Sequence, residues 1–387
     1  MRGSIKSPRA RRLEQRDSQE SKSMPVTIFP KHEDDLTPEL MTAVLAEDRP
    51  GLVVEKLTVV EAVRALSGRA STADRVVLDL DYAEGTAPAE LPRRVVLKTM
   101  LDVPHAPGVM YETEVRFYRE VRPHVPFEAP VFFGALFDRE SGHFGIVLED
   151  LRERGCVFAN VTMDVSLDQI RQLIRYLAAL HARHWESPAL DTEFSWMATP
   201  SGGGMEALFG QILWRLEEVL EEEPWRKEIL AQIGRPLAGL HADMLKIAAG
   251  PFEDAPRTLL HGDTHLGNSY VLEDGSMGWL DFQLSLRGCY ARDLTYIITT
   301  GLPIELRRAH ERELIDFYLD ALRSHGVTNV PDREAAWTLH RQASFWGLVI
   351  GWMACPTANY GRAITEENLR RLAQIMIDLD VLEVVPR

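Results

Sequence analysis

The sequence predicts an α+β fold in two unequal lobes, a small β-rich lobe with one key helix followed by a larger, mainly helical lobe. Three observations carry this. Between residues 75 and 150 three strand-like runs occur, the first of them, RVVLDLDY, alternating apolar and polar residues with the two-residue period of strands. Beyond about residue 151, apolar residues recur every three to four positions, the period of helices. A strand-rich run followed by a helix-rich run separates the two classes instead of interleaving them as βαβ units. Within the helical part, LLHGDTHLGNSYVLEDGSMGWLDFQ (259–283) gathers His261, Asp263, His265, Asn268 and Asp281 around a turn. The expected division is a disordered leader over 1–24, a first lobe over 25–150 and a second over 151–387.

Taken in order, MRGSIKSPRARRLEQRDSQESKSM is basic, rich in Ser and Arg, and has no apolar run. It reads as a disordered leader and not as a secretory signal, which gives a cytoplasmic expectation. DLTPELMTAVL (35–45) reads as a short helix with Thr37 as N-cap and Pro38 in the first turn. RVVLDLDY (75–82) puts Val76, Leu78, Leu80 and Tyr82 on one face of a strand and Asp79 and Asp81 on the other. RRVVLKT (93–99) and FGIVLED (144–150) are two further strands. Between them YETEVRFYREV (111–121) is helical by period, with Met110, Phe117 and Val121 on one face and Glu114 on the same stripe. An acid on a buried stripe needs a cation, and Lys98 at the end of the neighbouring strand is the candidate; Glu112 faces elsewhere.

SLDQIRQLIRYLAALHARHW (166–185) opens with the capping-box pattern Ser166 to Gln169 and carries a stripe from Ile170 to Leu180. His181 lies on that apolar face and reads as a hydrogen-bonded core histidine. Further helices are expected over 205–222, 226–247, 304–324, 332–354 and 364–379. The most apolar segment, SFWGLVIGWMAC (344–355), is shorter than the roughly 18 to 20 residues of a membrane span, so it reads as a buried helix.

Within 259–283, Asp274-Gly275 between two apolar runs is a hairpin signal. Folding there brings Asn268 and Asp281 opposite each other, one amide and one carboxylate oxygen at the open end. Hard oxygen donors of this kind suit Mg²⁺ shared with phosphates. Asp263, five positions before Asn268, could then take a proton from a hydroxyl, which is the order of parts in protein kinases.

With these residues in view, the chain resembles the aminoglycoside phosphotransferase and choline kinase-like superfamily, and within it the ecdysteroid-kinase-like branch and its bacterial relatives. SGRAST, VVLKT, TEVRFY, IVLEDL, LAALHARHW, HGDTHLGN, LDFQ and ARDLTYII occur in that family's order, from about Leu52 to the C-terminal helices. The resemblance implies a protein-kinase-like fold and transfer of the γ-phosphoryl group of ATP to a hydroxyl of a small molecule. It implies Asp263 as catalytic base, Asn268 and Asp281 as Mg²⁺ ligands, and Lys98 on the ATP phosphates paired with Glu114. Backbone groups around Glu149, Asp150 and Leu151 would meet adenine, and Asp293 would brace the catalytic loop, although at the start of a helix it also makes a good N-cap. The phosphate-covering loop would be SGRAST (67–72), whose lone glycine is Gly68, a departure from a Gly-rich loop. Gln283 stands where protein kinases carry a glycine, and no activation segment of the protein-kinase kind is present, which argues against a protein substrate.

Composition bounds the alternatives. Lys and Arg number 43 against 58 Asp and Glu, and a net charge of −15 disfavours nucleic acid as a partner. Cys156, Cys289 and Cys355 have no metal-ligand spacing. Two rival readings are a metal-dependent hydrolase using His261, Asp263 and His265 as ligands, and a non-catalytic kinase-shaped module that binds nucleotide. Trp337, Phe345, Trp346 and Trp352 offer an aromatic surface for an apolar or partly apolar acceptor, or equally for core packing. The acceptor's identity and the oligomeric state stay open at this level.

Overall fold

The computed structural model describes residues 30–65, 72–101 and 108–387; the leader and Gly68 lie outside them. Its first sheet contains β1 (Val54–Val63), β2 (Asp74–Tyr82), β3 (Arg94–Thr99), β4 (Phe132–Phe137) and β5 (Phe144–Glu149). The strands run antiparallel in the order β1–β2–β3–β5–β4. The three expected strands are the three inner ones. β1 and β4, the two edges, were not legible: β1 is partly exposed and constrains its side chains least, while β4 is a short apolar run, FFGALF, without alternation.

Helix α1 (Pro38–Ala46) starts as expected, with the Thr37 hydroxyl accepting the Leu40 N–H at 3.2 Å. It buries Leu40, Met41, Val44 and Leu45 against Val76, Leu78, Leu80, Val95, Leu97 and Val147 on one face of the sheet. At roughly 1.5–3 kcal/mol per buried large side chain, those four residues are enough to fix the helix there. The opposite face takes α2 (Gly108–Arg116), which widens into a π-helical turn over Phe117–Val121. Tyr111 stacks on Phe144 at 4.0 Å between ring centres. Side chains alternate along a strand, so with Leu97 turned to α1, Lys98 is turned to α2.

The larger part is helical. It comprises α3 (Leu167–His184), α4 (Gly204–Phe209), α5 (Leu213–Glu222), α6 (Trp225–Ile233), α7 (Leu237–Ala248), α8 (Ala291–Gly301), α9 (Ile304–Ser324), α10 (Arg333–Trp346) and α11 (Arg362–Asp378). The Ser166–Gln169 capping box on α3 forms in both directions, at 3.2 and 2.9 Å. The helix expected over 226–247 is two helices. Gly234 at φ 72° ends α6, and Pro236 precedes α7, a stop and a start written in IGRP. The helix expected over 205–222 is likewise interrupted, at 210–212. Past Trp346, α10 continues as a π-helix, Gly347–Met353.

Every residue of α8 is buried, which makes it the axis of this part. Two small sheets lie against α3. β7 (Arg257–Leu260) pairs with β10 (Leu286–Cys289), and β8 (Ser269–Val271) pairs with β9 (Met277–Trp279) on one side and β6 (Val157–Phe158) on the other. Among the described residues no helix is long and apolar enough to cross a membrane.

Candidate active site

The loop from His261 to Asn268 leaves β7 and is held by its backbone. Gly262 has φ 89°, and a Cβ there would lie 1.9 Å from the Leu284 carbonyl oxygen, so only glycine fits. The N–H groups of His261 and Gly262 donate to the two carboxylate oxygens of Asp293 at 2.7 and 2.9 Å. The Thr264 hydroxyl donates to the Asp293 carbonyl at 2.7 Å. Asp293 is fully buried; despite that burial, the hydrogen bond from His181 and the Gly262 N–H hold its carboxyl below the usual range. His181 lies 3.2 Å from Asp293 through Nε2 and 2.7 Å from the Tyr318 hydroxyl through Nδ1, a bonded core histidine as expected. The N-cap of α8 is Tyr290, so Asp293 does not cap its own helix; its carboxylate serves the neighbouring loop.

The hairpin turns at Asp274-Gly275, with Gly275 at φ 82°. The Leu280 N–H donates to the Asn268 carbonyl at 3.0 Å, so Asn268 faces Leu280 and Asp281 stands one residue past the pairing. Asp281 has φ 65°, a left-handed conformation that costs a non-glycine residue about 1 kcal/mol. Beyond that bend its Oδ1 lies 3.2 Å from Lys98 Nζ. Phe282, the next residue, stacks on Phe117 of the π-helical turn at 4.1 Å, tying the hairpin to the helix that carries Glu114. The Thr72 hydroxyl donates to Gln283 Oε1 at 3.0 Å.

Lys98 Nζ is 2.7 Å from Glu114 Oε2, while Glu112 pairs with Arg139. Two carboxylates therefore share one ammonium. Burial, opposed by Lys98 and reinforced by Asp281, holds the Glu114 carboxyl up at about 7. Burial works against the charge of Lys98, but Asp281 and Glu114 outweigh it and raise its pKa.

Asp263 is pushed up to about 6, first by burial and then by the charge of Asp281. Asn268 Nδ2 donates to both the carbonyl and the Oδ2 of Asp263 at 2.9 Å. His265 Nε2 lies 3.7 Å from the same Oδ2, and burial lowers His265 to about 4, so its imidazole is neutral. Both ring nitrogens of His261 are committed, Nε2 to the Leu280 carbonyl at 3.1 Å and Nδ1 to the Asp263 N–H at 3.3 Å. That leaves His261 no lone pair for a metal, which weighs against the hydrolase reading. Among the described residues no group of three His, Cys, Asp or Glu is arranged to hold a metal ion.

Beyond His265 stands a wall of rings: Tyr296 at 5.9 Å, Trp352 at 5.3 Å and Tyr360 at 5.8 Å. Of the four aromatic residues expected near an acceptor, Trp352 touches the loop and Trp346 touches Tyr296. Trp337 stacks on His340 beneath Arg312 instead, and Phe345 lines a small cavity beside Arg292 and Glu206. Tyr296 and Tyr360 were missed; Tyr296 stands within ARDLTYII but reads as core on a buried helix, and Tyr360 belongs to no motif.

Glu149 ends β5, next to β3; its N–H donates to the Val131 carbonyl at 3.0 Å and its carboxylate meets Arg154 at 3.0 Å. Leu151 is buried, and its carbonyl accepts the Cys156 N–H at 3.1 Å.

Known proteins give this arrangement a context. No curated protein matches the chain. Among solved structures, an ethanolamine kinase of Plasmodium vivax superposes with a TM-score of 0.50 at 12% identity, covering 98% of this chain and 97% of that one. A macrolide 2'-phosphotransferase type I does so at 0.43 and 17% over 89% of this chain and 98% of its own. A choline kinase of Streptococcus pneumoniae gives 0.42 and 11% over 87% and 98%. At these identities the likeness concerns the fold, which is protein-kinase-like. The model of the ecdysteroid kinase-like family matches residues 70–327, a span that contains Lys98, Glu114, Asp263, Asn268, Asp281 and Asp293. The chain therefore belongs to the ecdysteroid kinase-like family.

Proposed function

We propose that the chain is an ATP-dependent small-molecule kinase that transfers the γ-phosphoryl group to a hydroxyl. One observation carries the reading: Lys98, held by Glu114 at 2.7 Å, reaches Asp281 at 3.2 Å, while Asp263 and Asn268 stand together on the neighbouring loop. A purely structural ion pair has no need of a second carboxylate on a left-handed residue. In this reading residues up to about 150 serve the nucleotide, with the end of β5 at Glu149 and Leu151 beside adenine, and the helical remainder serves the acceptor.

The donor set suits Mg²⁺. Asn268 spends its amide N–H groups on Asp263, which leaves Oδ1 without a protein partner among the described residues, and Asp281 adds a partly exposed carboxylate. Asn268 Oδ1 and Asp281 would hold the ion, which when bound neutralises charge on the phosphate oxygens. Lys98 places its ammonium against the same oxygens and stabilises the transferring group. Asp263 accepts the hydroxyl proton at its carboxylate as the acceptor oxygen attacks, and a pKa near 6 leaves it ionised at neutral pH. The ring wall beyond His265 suits an acceptor with an apolar face.

The test is ADP release with Mg²⁺ across a library of hydroxyl-bearing metabolites and antibiotics, with Asp263→Ala as control. Stimulation by an acceptor that the variant abolishes supports the proposal. A melting temperature raised by ATP with no turnover on any acceptor would instead favour a nucleotide-binding module.

A further inference from the structure

Among the buried arginines of the helical half, Arg226 is the one whose guanidinium grips the backbone at 352–355. Arg226, in the first turn of α6, donates through Nη1 to the carbonyls of Trp352 and Met353 at 2.8 and 3.3 Å. Its Nη2 donates to the Cys355 carbonyl at 2.8 Å and the Thr357 hydroxyl oxygen at 3.2 Å. Its Nε bonds Glu223 at 2.8 Å, and Glu223 in turn takes the N–H of Thr357 at 3.1 Å and its hydroxyl. The carbonyls where the π-helix ends have no helical partner, and a planar fork of five donors is the one side chain able to satisfy several at once. Next to it, Trp225 lies under the guanidinium of Arg362 at 3.7 Å. Both ends of the segment 352–362 are therefore gripped by the N-terminus of α6.

That segment forms a strap over the 261–268 loop. Trp352 and Tyr360 pack on each other at 4.9 Å and both meet the ring of His265, which adjoins Asp263. Gly267 sits close enough that a Cβ there would reach Tyr360 at 3.9 Å. We infer that Arg226, with Glu223, is a positioning residue that fixes the strap and so sets where the acceptor's hydroxyl stands relative to Asp263. This rests on the kinase reading above. It requires that loosening the strap disturb the acceptor side and leave the nucleotide side alone.

The experiment compares Arg226→Met, Arg226→Lys and Thr357→Ala with the parent chain. Hydrogen exchange is read over 348–362, 261–268 and the first sheet; MgADP binding is read by calorimetry. ADP release is read with cyclohexanol, 2-phenylethanol, choline and glycerol as probes. In Arg226→Met, exchange over 348–362 and 265–268 should rise about tenfold or more while the first sheet is unchanged. MgADP affinity should stay within about twofold, and the KM of any alcohol that is turned over should rise about tenfold with the KM of ATP unmoved. Arg226→Lys should recover part of that loss, and Thr357→Ala should show a smaller one. Exchange that rises evenly through the helices, or an ATP KM that moves with the alcohol KM, overturns the inference and leaves Arg226 a structural residue. If no alcohol is turned over by the parent chain, the kinase reading is what suffers. The exchange and MgADP arms then decide the positioning claim alone.

Discussion

Replacing Glu114 with glutamine removes one of the two carboxylates that share Lys98 and keeps the side chain's size. In a medium of effective dielectric about 20, unit charges at 2.7 and 3.2 Å attract by roughly 6 and 5 kcal/mol before desolvation is subtracted. Breaking an isolated buried pair costs about 3–5 kcal/mol because a bare charge is left behind. Here Lys98 keeps Asp281, so the loss in folding stability should be smaller, about 2 kcal/mol. The functional loss follows from where the ammonium goes. Without Glu114 it settles on Asp281 and must be drawn off again before either group can meet a phosphate. If that costs a further ~2 kcal/mol in the transition state, kcat/KM for ATP falls about 30-fold. Coupled ADP release measures the second figure and urea unfolding the first. A variant that loses stability but keeps kcat/KM for ATP within about threefold would show that the pair is only structural and would refute the reasoning.

Three further outcomes are expected. Asp263 must be ionised to take a proton, so kcat/KM should fall about tenfold per pH unit below a pKa near 6, and a profile flat down to pH 5 would contradict its role. Gly262→Ala has no room for its methyl group against the Leu284 carbonyl; it should cost about 3 kcal/mol or more by urea unfolding and abolish turnover. His184 is buried against Phe194, and burial, with Arg183 adding repulsion, lowers it to about 4 from 6.5. The unfolded chain therefore binds the proton first, and stability should decline as pH falls from 6.5 towards 4, by about 2 kcal/mol at pH 5 from this residue. In His184→Phe that share of the pH dependence should vanish; an unchanged slope would place the loss elsewhere.

Much of this geometry could be read from the residues because it is local or periodic. The Lys98–Glu114 contact was legible since an acid on an apolar helical stripe demands a partner, and the hairpin was legible since Asp-Gly specifies its turn. What depends on tertiary context was not. No pattern announces that Asp281 takes a left-handed backbone, nor that Tyr360, just before the last long helix, returns to the loop at His265. Asp293 was expected to cap a helix as well as brace the loop, and only the second is observed, because propensity rules do not say which backbone a carboxylate will reach. The break between α6 and α7 was written in Gly234 and Pro236 and outweighed by a period that runs smoothly through both.

The contact between Lys98 and Asp281 joins positions 183 residues apart in the chain. Closing so long a loop is entropically slow, and local hairpins and helices form well ahead of it. The first sheet and the helical core can each assemble from nearer neighbours, so the full constellation is complete only when the two have docked. During refolding, secondary structure should therefore return before nucleotide binding does. A nucleotide that bridges the two parts would act on the last step of folding as well as on the reaction, pulling the docked state out of an otherwise slower equilibrium.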